Sequence, residues 1–422
     1  MSTAATFLGG AKSRLLPPSI PFRFFAAAAG FHVLMWLVLL IGADEVASFR
    51  GGLGSTLTAV HLLALGVLVT TAIGASVQLL PVATRRAIVA IWPIKLVFWL
   101  AVPGMIALIA GMYLAQPTIL IMAAAVTTAG LLLFGGLLAD NLRRAQSIPV
   151  VAAYGWAALA ALVLVVAFGL LLAINGQYDV LPDHGAAALA HLILGGFGFM
   201  GLLALGFSHI LVPMFALAAA PPNRPSILAF VLATAAIVLG TGGALAKAPA
   251  ALAIASLVGI VAAGLHVRLM HNTLKAGMRK RLGLSFVLIR AAWLILLATL
   301  VVGIAAIYGW AGPNGPTLFG FLLFAWLLTF LLGVLERIVP FLASMFVSRP
   351  AGGMPLMSEL ADARLLDVNA ICHAAALVAL AAGIAIGGVW PMRIGSAVGL
   401  IGALAFAWFT VDVMRRMTSP QK

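Results

Sequence analysis

The chain has 422 residues, of which 64% are hydrophobic and 8% charged, with a mean hydropathy of +1.20 and a formal net charge of +14. A soluble domain is nearer a quarter charged, so this composition excludes a water-soluble globular fold; the continuous apolar runs exclude a transmembrane β-barrel, whose strands alternate over short segments. The positive charge reads as cytoplasmic loops of a membrane protein rather than a nucleic-acid surface, and the single Cys372 excludes an internal disulfide and any cysteine-built zinc or iron–sulfur site.

The first apolar run follows the basic Lys12, Arg14 and Arg23 and reads as a retained first span, not a cleaved signal. Twelve spans are expected near 21–42, 56–81, 90–112, 117–139, 150–174, 186–213, 226–245, 249–271, 285–309, 317–345, 367–388 and 393–414. Each is long enough to cross about 30 Å of hydrocarbon. With the N-terminus in the cytoplasm, 21 of the 24 Lys and Arg fall on the inner side, among them Lys280, Arg349 and Lys422; only Arg50, Lys247 and Arg393 fall outside. Both termini are therefore expected in the cytoplasm of a bacterial inner membrane. The outer loops carry Asp44, Glu45, Asp179 and Asp183.

Three spans close on one phrase. "GASVQLLPV" begins at Gly74, "GFSHILVPM" at Gly206 and "GVLERIVPF" at Gly333, each with proline seven residues after the glycine. The intervals of 132 and 127 residues imply three parallel repeats of four spans, about 1–147, 148–281 and 282–422, in one polytopic membrane domain. The glycine is expected to let helices approach closely. The proline is expected to end or kink its helix near the cytoplasmic face.

Ionisable and metal-ligating side chains are costly at membrane depth, which makes each a candidate site. His61 opens "HLLALGVLVTTAIGASVQLLPV" in span 2, and His191 opens "HLILGGFGFMGLLALGFSHILVPMF" in span 6. Both lie in the outer third of their spans, amid Leu, Gly and Ala that leave room for a flat cofactor or a close helix. Imidazole ligates haem iron and copper, so His61 and His191 are candidate ligands of a b-type haem or a copper ion. The alternative is that each bonds a neighbouring backbone carbonyl and staples the repeats together.

His209 follows His191 by 18 residues, five α-helical turns. It is expected on the same face but roughly 27 Å away, too far to share a metal. His209 and Glu336 sit four residues before their proline, and Gln78 and Arg337 sit three before. The inner ends of the three helices are thus expected to converge as a proton-handling or gating cluster, or as a polar plug. Glu336 and Arg337 are expected to pair with other helices rather than with each other.

The other histidines are weaker candidates. His266 and His271 border the basic loop "KAGMRKRLG" and read as interfacial. His184 with Asp179 and Asp183 permits a loose metal site, and His32 and His373 read as isolated buried hydrogen-bonding groups. Trp92, Trp99, Trp156, Trp293, Trp310 and Trp390 fit interfacial belts or helix packing. The chain has no Walker loop, no dinucleotide fingerprint, no H-E-x-x-H and no C-x-x-C-H.

Twelve spans in three parallel groups, with histidines near the outer ends of spans 2 and 6, resemble the catalytic subunit of the haem–copper oxidases and the related NnrS family. The stretch "PFRFFAAAAGFHVLMWLVLL" is similar to the first span of these groups. The resemblance implies a subunit-I-like bundle in which His61 matches the low-spin haem ligand of span 2 and His191 matches the copper ligand of span 6. It also implies a role near respiration, denitrification or nitric oxide stress, with respiratory or denitrification proteins as partners beside the lipid bilayer. The further histidines that the oxidases place in spans 7 and 10 are missing, so a standard oxygen or nitric oxide reductase is not expected. A transporter or channel, and a non-catalytic partner of a respiratory complex, stay open as alternatives.

Overall fold

Twelve helices are long and apolar enough to cross a membrane: α1 (Ser19–Ile41), α2 (Ser55–Ala83), α3 (Trp92–Tyr113), α4 (Pro117–Arg143), α5 (Pro149–Tyr178), α6 (His184–Ala216), α7 (Asn223–Leu245), α8 (Pro249–Ala276), α9 (Leu284–Ile307), α10 (Gly315–Phe346), α11 (Ala363–Ile386) and α12 (Val389–Thr418). This is a computed structural model, and it describes residues 14–49, 51–88, 90–145, 148–279, 281–347 and 355–418. Lys12, Arg50, Lys280, Arg349 and Lys422 of the charge count lie outside the described residues. Among the described residues, two short helices, Ala43–Ser48 and Met357–Leu360, sit in the connections.

The packing repeats every four helices. The first of each four lies along the second: α1 on α2, α5 on α6, α9 on α10. The third and fourth form a hairpin: α3 with α4, α7 with α8, α11 with α12. The fourth then packs on the first of the next group, α4 on α5 and α8 on α9, and α12 closes the ring on α1. The second helices α2, α6 and α10 touch one another inside this ring. They are also the three most buried spans, at 72%, 61% and 61% of their apolar window against at most 50% elsewhere.

The recurring phrase explains how these central helices are seated. A Cβ on Gly74 would stand 2.8 Å from Phe24 Cβ on α1, and one on Gly206 would stand 2.7 Å from Tyr154 Cβ on α5. On Gly333 it would stand 2.6 Å from the Ser285 carbonyl oxygen on α9. Each phrase glycine is thus the point where a central helix meets the first helix of its own group too closely for any side chain. The pairs also run antiparallel: as α1 goes from Phe24 to Phe31, its partner on α2 goes back from Gly74 to Gly66. The prolines do not stop their helices at once, though α2 and α6 end two and three residues beyond them. Pro81, Pro213 and Pro340 all lie inside their helices, and α10 continues six residues past Pro340 to Phe346.

The sequence pattern did not reveal two departures from α-helix. Leu62–Val69 in α2 and Leu194–Gly201 in α6 are π-helical. Each begins twelve residues before its phrase glycine, whereas α10 stays α-helical throughout. Widening to an i→i+5 pattern accommodates residues that an α-helix of the same span would not. Glycine lets neighbours fill the wider turns: a Cβ on Gly66 would stand 2.7 Å from Phe31, and one on Gly196 would stand 2.6 Å from Leu323 of α10.

Candidate metal or haem centre

The N-terminal ends of α2 and α6 are fixed by carboxylates. Glu45 accepts the backbone N–H of Ser55 at 2.7 Å and of Thr56 at 2.9 Å, over a Gly54 whose φ of 141° suits glycine alone. Asp183 accepts the N–H of Ala186 at 2.8 Å and pairs with Lys247. Negative charge at a helix N-terminus is favoured by the helix dipole as well as by the free N–H groups. The Lys247 hydrogen bond, and then the Ala186 amide, hold the Asp183 carboxyl below its ordinary range. No acid caps α10, whose N-terminal flank is Asn314.

About two turns inside these caps lie His61 and His191. Their ring centroids are 6.4 Å apart and their planes 20° from parallel. His61 Nδ1 lies 3.0 Å from the Leu57 carbonyl oxygen in its own helix, and His191 Nδ1 lies 3.0 Å from the Val165 carbonyl oxygen on α5. A carbonyl can only accept, so each Nδ1 carries the proton and each Nε2 keeps a free lone pair. Both rings are partly buried. Gly169 makes the seat of His191: a Cβ there would lie 3.1 Å from the His191 Cε1.

This pairing fits a metal-centred group. Metal–imidazole nitrogen bonds are about 2 Å and a ring nitrogen lies about 1 Å from its centroid, so two imidazoles on opposite sides of one ion have centroids roughly 6 Å apart, near the 6.4 Å of this pair. Fixing the tautomer through Nδ1 is also how metal-ligating histidines are oriented. Among the described residues, no three His, Cys, Asp or Glu side chains gather as a metal site, so the pair offers two nitrogens and no carboxylate or thiolate.

Gln78, His209 and Arg337 each bond or pack against residues outside the expected cluster. Gln78 is buried on the α1 side, where its Oε1 accepts the Leu16 N–H at 3.3 Å. Arg337 donates to Ser285 Oγ at 2.9 Å and to the Leu282 carbonyl, tying α10 to the start of α9. Glu336 is buried next to it and feels the charges of Arg337 and Asp367. His209 instead packs against Tyr154 and His266, with centroids 5.6 and 5.5 Å away. No hydrogen bond or ring contact among the described residues joins any two of Gln78, His209 and Glu336. His191 meets α2 and α5 whereas His209 meets α5 and α8, and the intervening π segment changes the turn on which the 18-residue spacing relied.

Other expectations also shift. His266 is not interfacial but 1% exposed in the bundle, whereas His271 is exposed. Trp293 is buried beside His266, while Trp92, Trp99, Trp156, Trp310 and Trp390 are exposed on the bundle surface. His32 and His373 are not isolated. His32 Nε2 accepts from Trp36 Nε1 at 3.0 Å, His373 Nε2 lies 2.8 Å from Thr329 Oγ1, and the two rings interact electrostatically. His184 bonds Asn175 rather than joining Asp179 and Asp183. Leu57, Val165 and Gly169, which hold the central pair, have no signal in the sequence: two act through backbone carbonyls and one through a missing side chain.

Fold and site together define an all-α, multi-pass membrane protein with a partly buried histidine pair between two of its central helices. In sequence the chain matches no protein-family model and no curated protein.

Proposed function

We propose that the chain is a bacterial inner-membrane redox protein that holds a b-type haem or a copper ion between His61 and His191. The observation that carries this reading is the 6.4 Å approach of two imidazoles whose Nδ1 atoms are both tied to carbonyls, leaving two aligned rings with free Nε2 lone pairs. At such a pair a haem or copper ion would supply one-electron transfer. His61 and His191 would bind it, the Leu57 and Val165 carbonyls would orient them, and Gly169 would admit the His191 ring. Spans 7 and 10 carry no histidine, so the pair lacks the further imidazoles of an oxygen or nitric oxide reductase. This favours electron relay over reduction of a gas, in respiration, denitrification or nitric oxide stress, with respiratory proteins as electron partners. The oxidase-like and NnrS-like pattern of the spans supports the same setting, as does the excess of Lys and Arg expected at the cytoplasmic face.

The test is an absorbance spectrum and metal analysis of detergent-purified protein, oxidised and reduced. The expected result is a haem spectrum or about one copper per chain, lost in both His61→Ala and His191→Ala. Protein free of haem, copper and iron, or single variants with unchanged spectra, would overturn the reading.

A further inference from the structure

The second group of four helices differs from the other two where α8 leads into α9. Between His184 and Leu335 the chain has no Asp or Glu. In the first and third groups the fourth helix neutralises its own last turns: Asp140 pairs with Arg143 and Arg144 on α4, and Asp412 pairs with Arg416 on α12. The matching end of α8 carries Arg268 and Lys275, and Arg290 follows on α9. Arg268 and Arg290 are exposed, and no hydrogen bond, ion pair or aromatic contact among the described residues engages either guanidinium.

The two arginines lie at one level on neighbouring helices. Ser256 faces Gly303, Gly259 faces Leu300 and His266 faces Trp293, so each residue gained along α8 matches one lost along α9. In this antiparallel register Arg268 is level with Ala291, the neighbour of Arg290. Neither arginine belongs to the connecting loop. Arg268 lies eight residues before the end of α8 and Arg290 six residues after the start of α9, which is about 12 Å and about 9 Å along the helix axes. The surface around them is apolar: Leu257 and Val261 on α8 and Val287, Leu294 and Val301 on α9 are all more than half exposed.

A cation set in an apolar, lipid-facing surface is costly unless a counter-charge meets it there. Guanidinium groups hold phosphate oxygens through paired N–H donors. A free anion would have to leave water to reach this face. A phospholipid brings its phosphate to that depth with its own acyl chains. We propose that the α8–α9 end is a binding site for an anionic phospholipid. Arg268 and Arg290 hold the phosphate, and the acyl chains lie over Leu257, Val261, Leu294 and Val301. Exposed Arg279 and Arg281 in the loop add to the positive field that draws such lipids. Neither His61 nor His191 takes part, so the inference stands apart from the metal reading.

Electron spin resonance of the full-length protein in phosphatidylcholine vesicles tests it. The vesicles hold a trace of spin-labelled phosphatidylglycerol or, in parallel, spin-labelled phosphatidylcholine. The native protein is expected to immobilise the phosphatidylglycerol label with an association constant about fivefold or more above that of phosphatidylcholine. The double variant Arg268→Gln, Arg290→Gln is expected to lose most of that preference. Arg143→Gln, Arg144→Gln removes the same formal charge from the end of α4 and is expected to keep it. Should the first double variant not fold, Arg268→Gln and Arg290→Gln alone are each expected to lower the preference about twofold or more. Inorganic phosphate is expected not to displace the label. Equal association of the two lipids with native protein, a preference retained in the folded α8–α9 variants, an equal loss in the α4 variant, or displacement by inorganic phosphate would each overturn the proposal.

Discussion

His61 and His191 are 130 residues apart in the chain, and their rings stand 6.4 Å apart, 20° from parallel. The contact depends on Gly169 of α5, where any Cβ would lie 3.1 Å from the His191 ring. Gly169→Val is therefore expected to displace His191 and to abolish or shift the spectrum of a group bound there, while the helical content is unchanged. An unaltered spectrum in folded Gly169→Val protein would show that the position of His191 does not matter.

The π segment of α2 sets the rotation of His61 relative to Gly74. Deleting two residues within Leu62–Val69 would turn His61 by about 100° about the helix axis, since the first deletion only removes the extra residue that the π segment absorbs and the second shifts an α-helix by one position. We expect loss of bound haem or copper from protein that still runs as a monodisperse species. Retained cofactor after such a deletion would separate the π segment from the site.

Gly333 and Gly136 are both interior helix glycines, but only Gly333 lies against a neighbouring backbone, with a Cβ position 2.6 Å from the Ser285 carbonyl; around Gly136 there is nothing within 4 Å. Gly333→Ala is expected to cost about 1–3 kcal/mol through overpacking. Gly136→Ala is expected to be neutral or slightly stabilising, since Ala is the better helix former by about 1 kcal/mol. Thermal unfolding in detergent, read by circular dichroism, checks the contrast, and equal midpoints would refute it.

Arg337 and Glu336 are neighbours with opposite expected behaviour. Arg337→Gln removes the bonds to Ser285 and the Leu282 carbonyl and is expected to cost about 1.5–3 kcal/mol, typical of charged hydrogen bonds. Glu336 Oε1 is buried with no hydrogen-bond partner, so the neutral Glu336→Gln is expected within about 1 kcal/mol of native stability. Urea midpoints of the two variants decide it, and a larger loss in Glu336→Gln would reverse the assignment.

Asp183 ties pH to the N-terminal end of α6. Its carboxyl is held below the ordinary range by Lys247 and the Ala186 amide. A depressed carboxyl stabilises the fold above its unfolded pKa, near 4, and that contribution is lost as pH falls through the lower folded value. Asp183→Asn keeps the cap but not the ion pair, so its unfolding midpoint should lie below native at pH 7. The gap should close on acidification and narrow in high salt, because the site is exposed. A gap independent of both pH and salt would exclude the ion pair as its source.

The sequence made the architecture legible because lipid imposes a coarse rule. Each span must be apolar over its whole length, so the twelve helices could be counted, and the three phrases at Gly74, Gly206 and Gly333 marked the three helices that proved central. The same text named His61 and His191 as candidates, since a histidine at membrane depth stands out. Their approach, the two π segments, the seat at Gly169 and the diversion of His209 toward Tyr154 and His266 were not legible. Each depends on which face a helix turns to a neighbour, and an i→i+5 segment alters that face without leaving a mark in hydropathy. The sequence by itself determined what must lie in the membrane and which polar groups lie there with it. Only the tertiary structure decided which of those groups meet, because meeting is set by helix rotation and backbone contact, and apolar composition leaves both free.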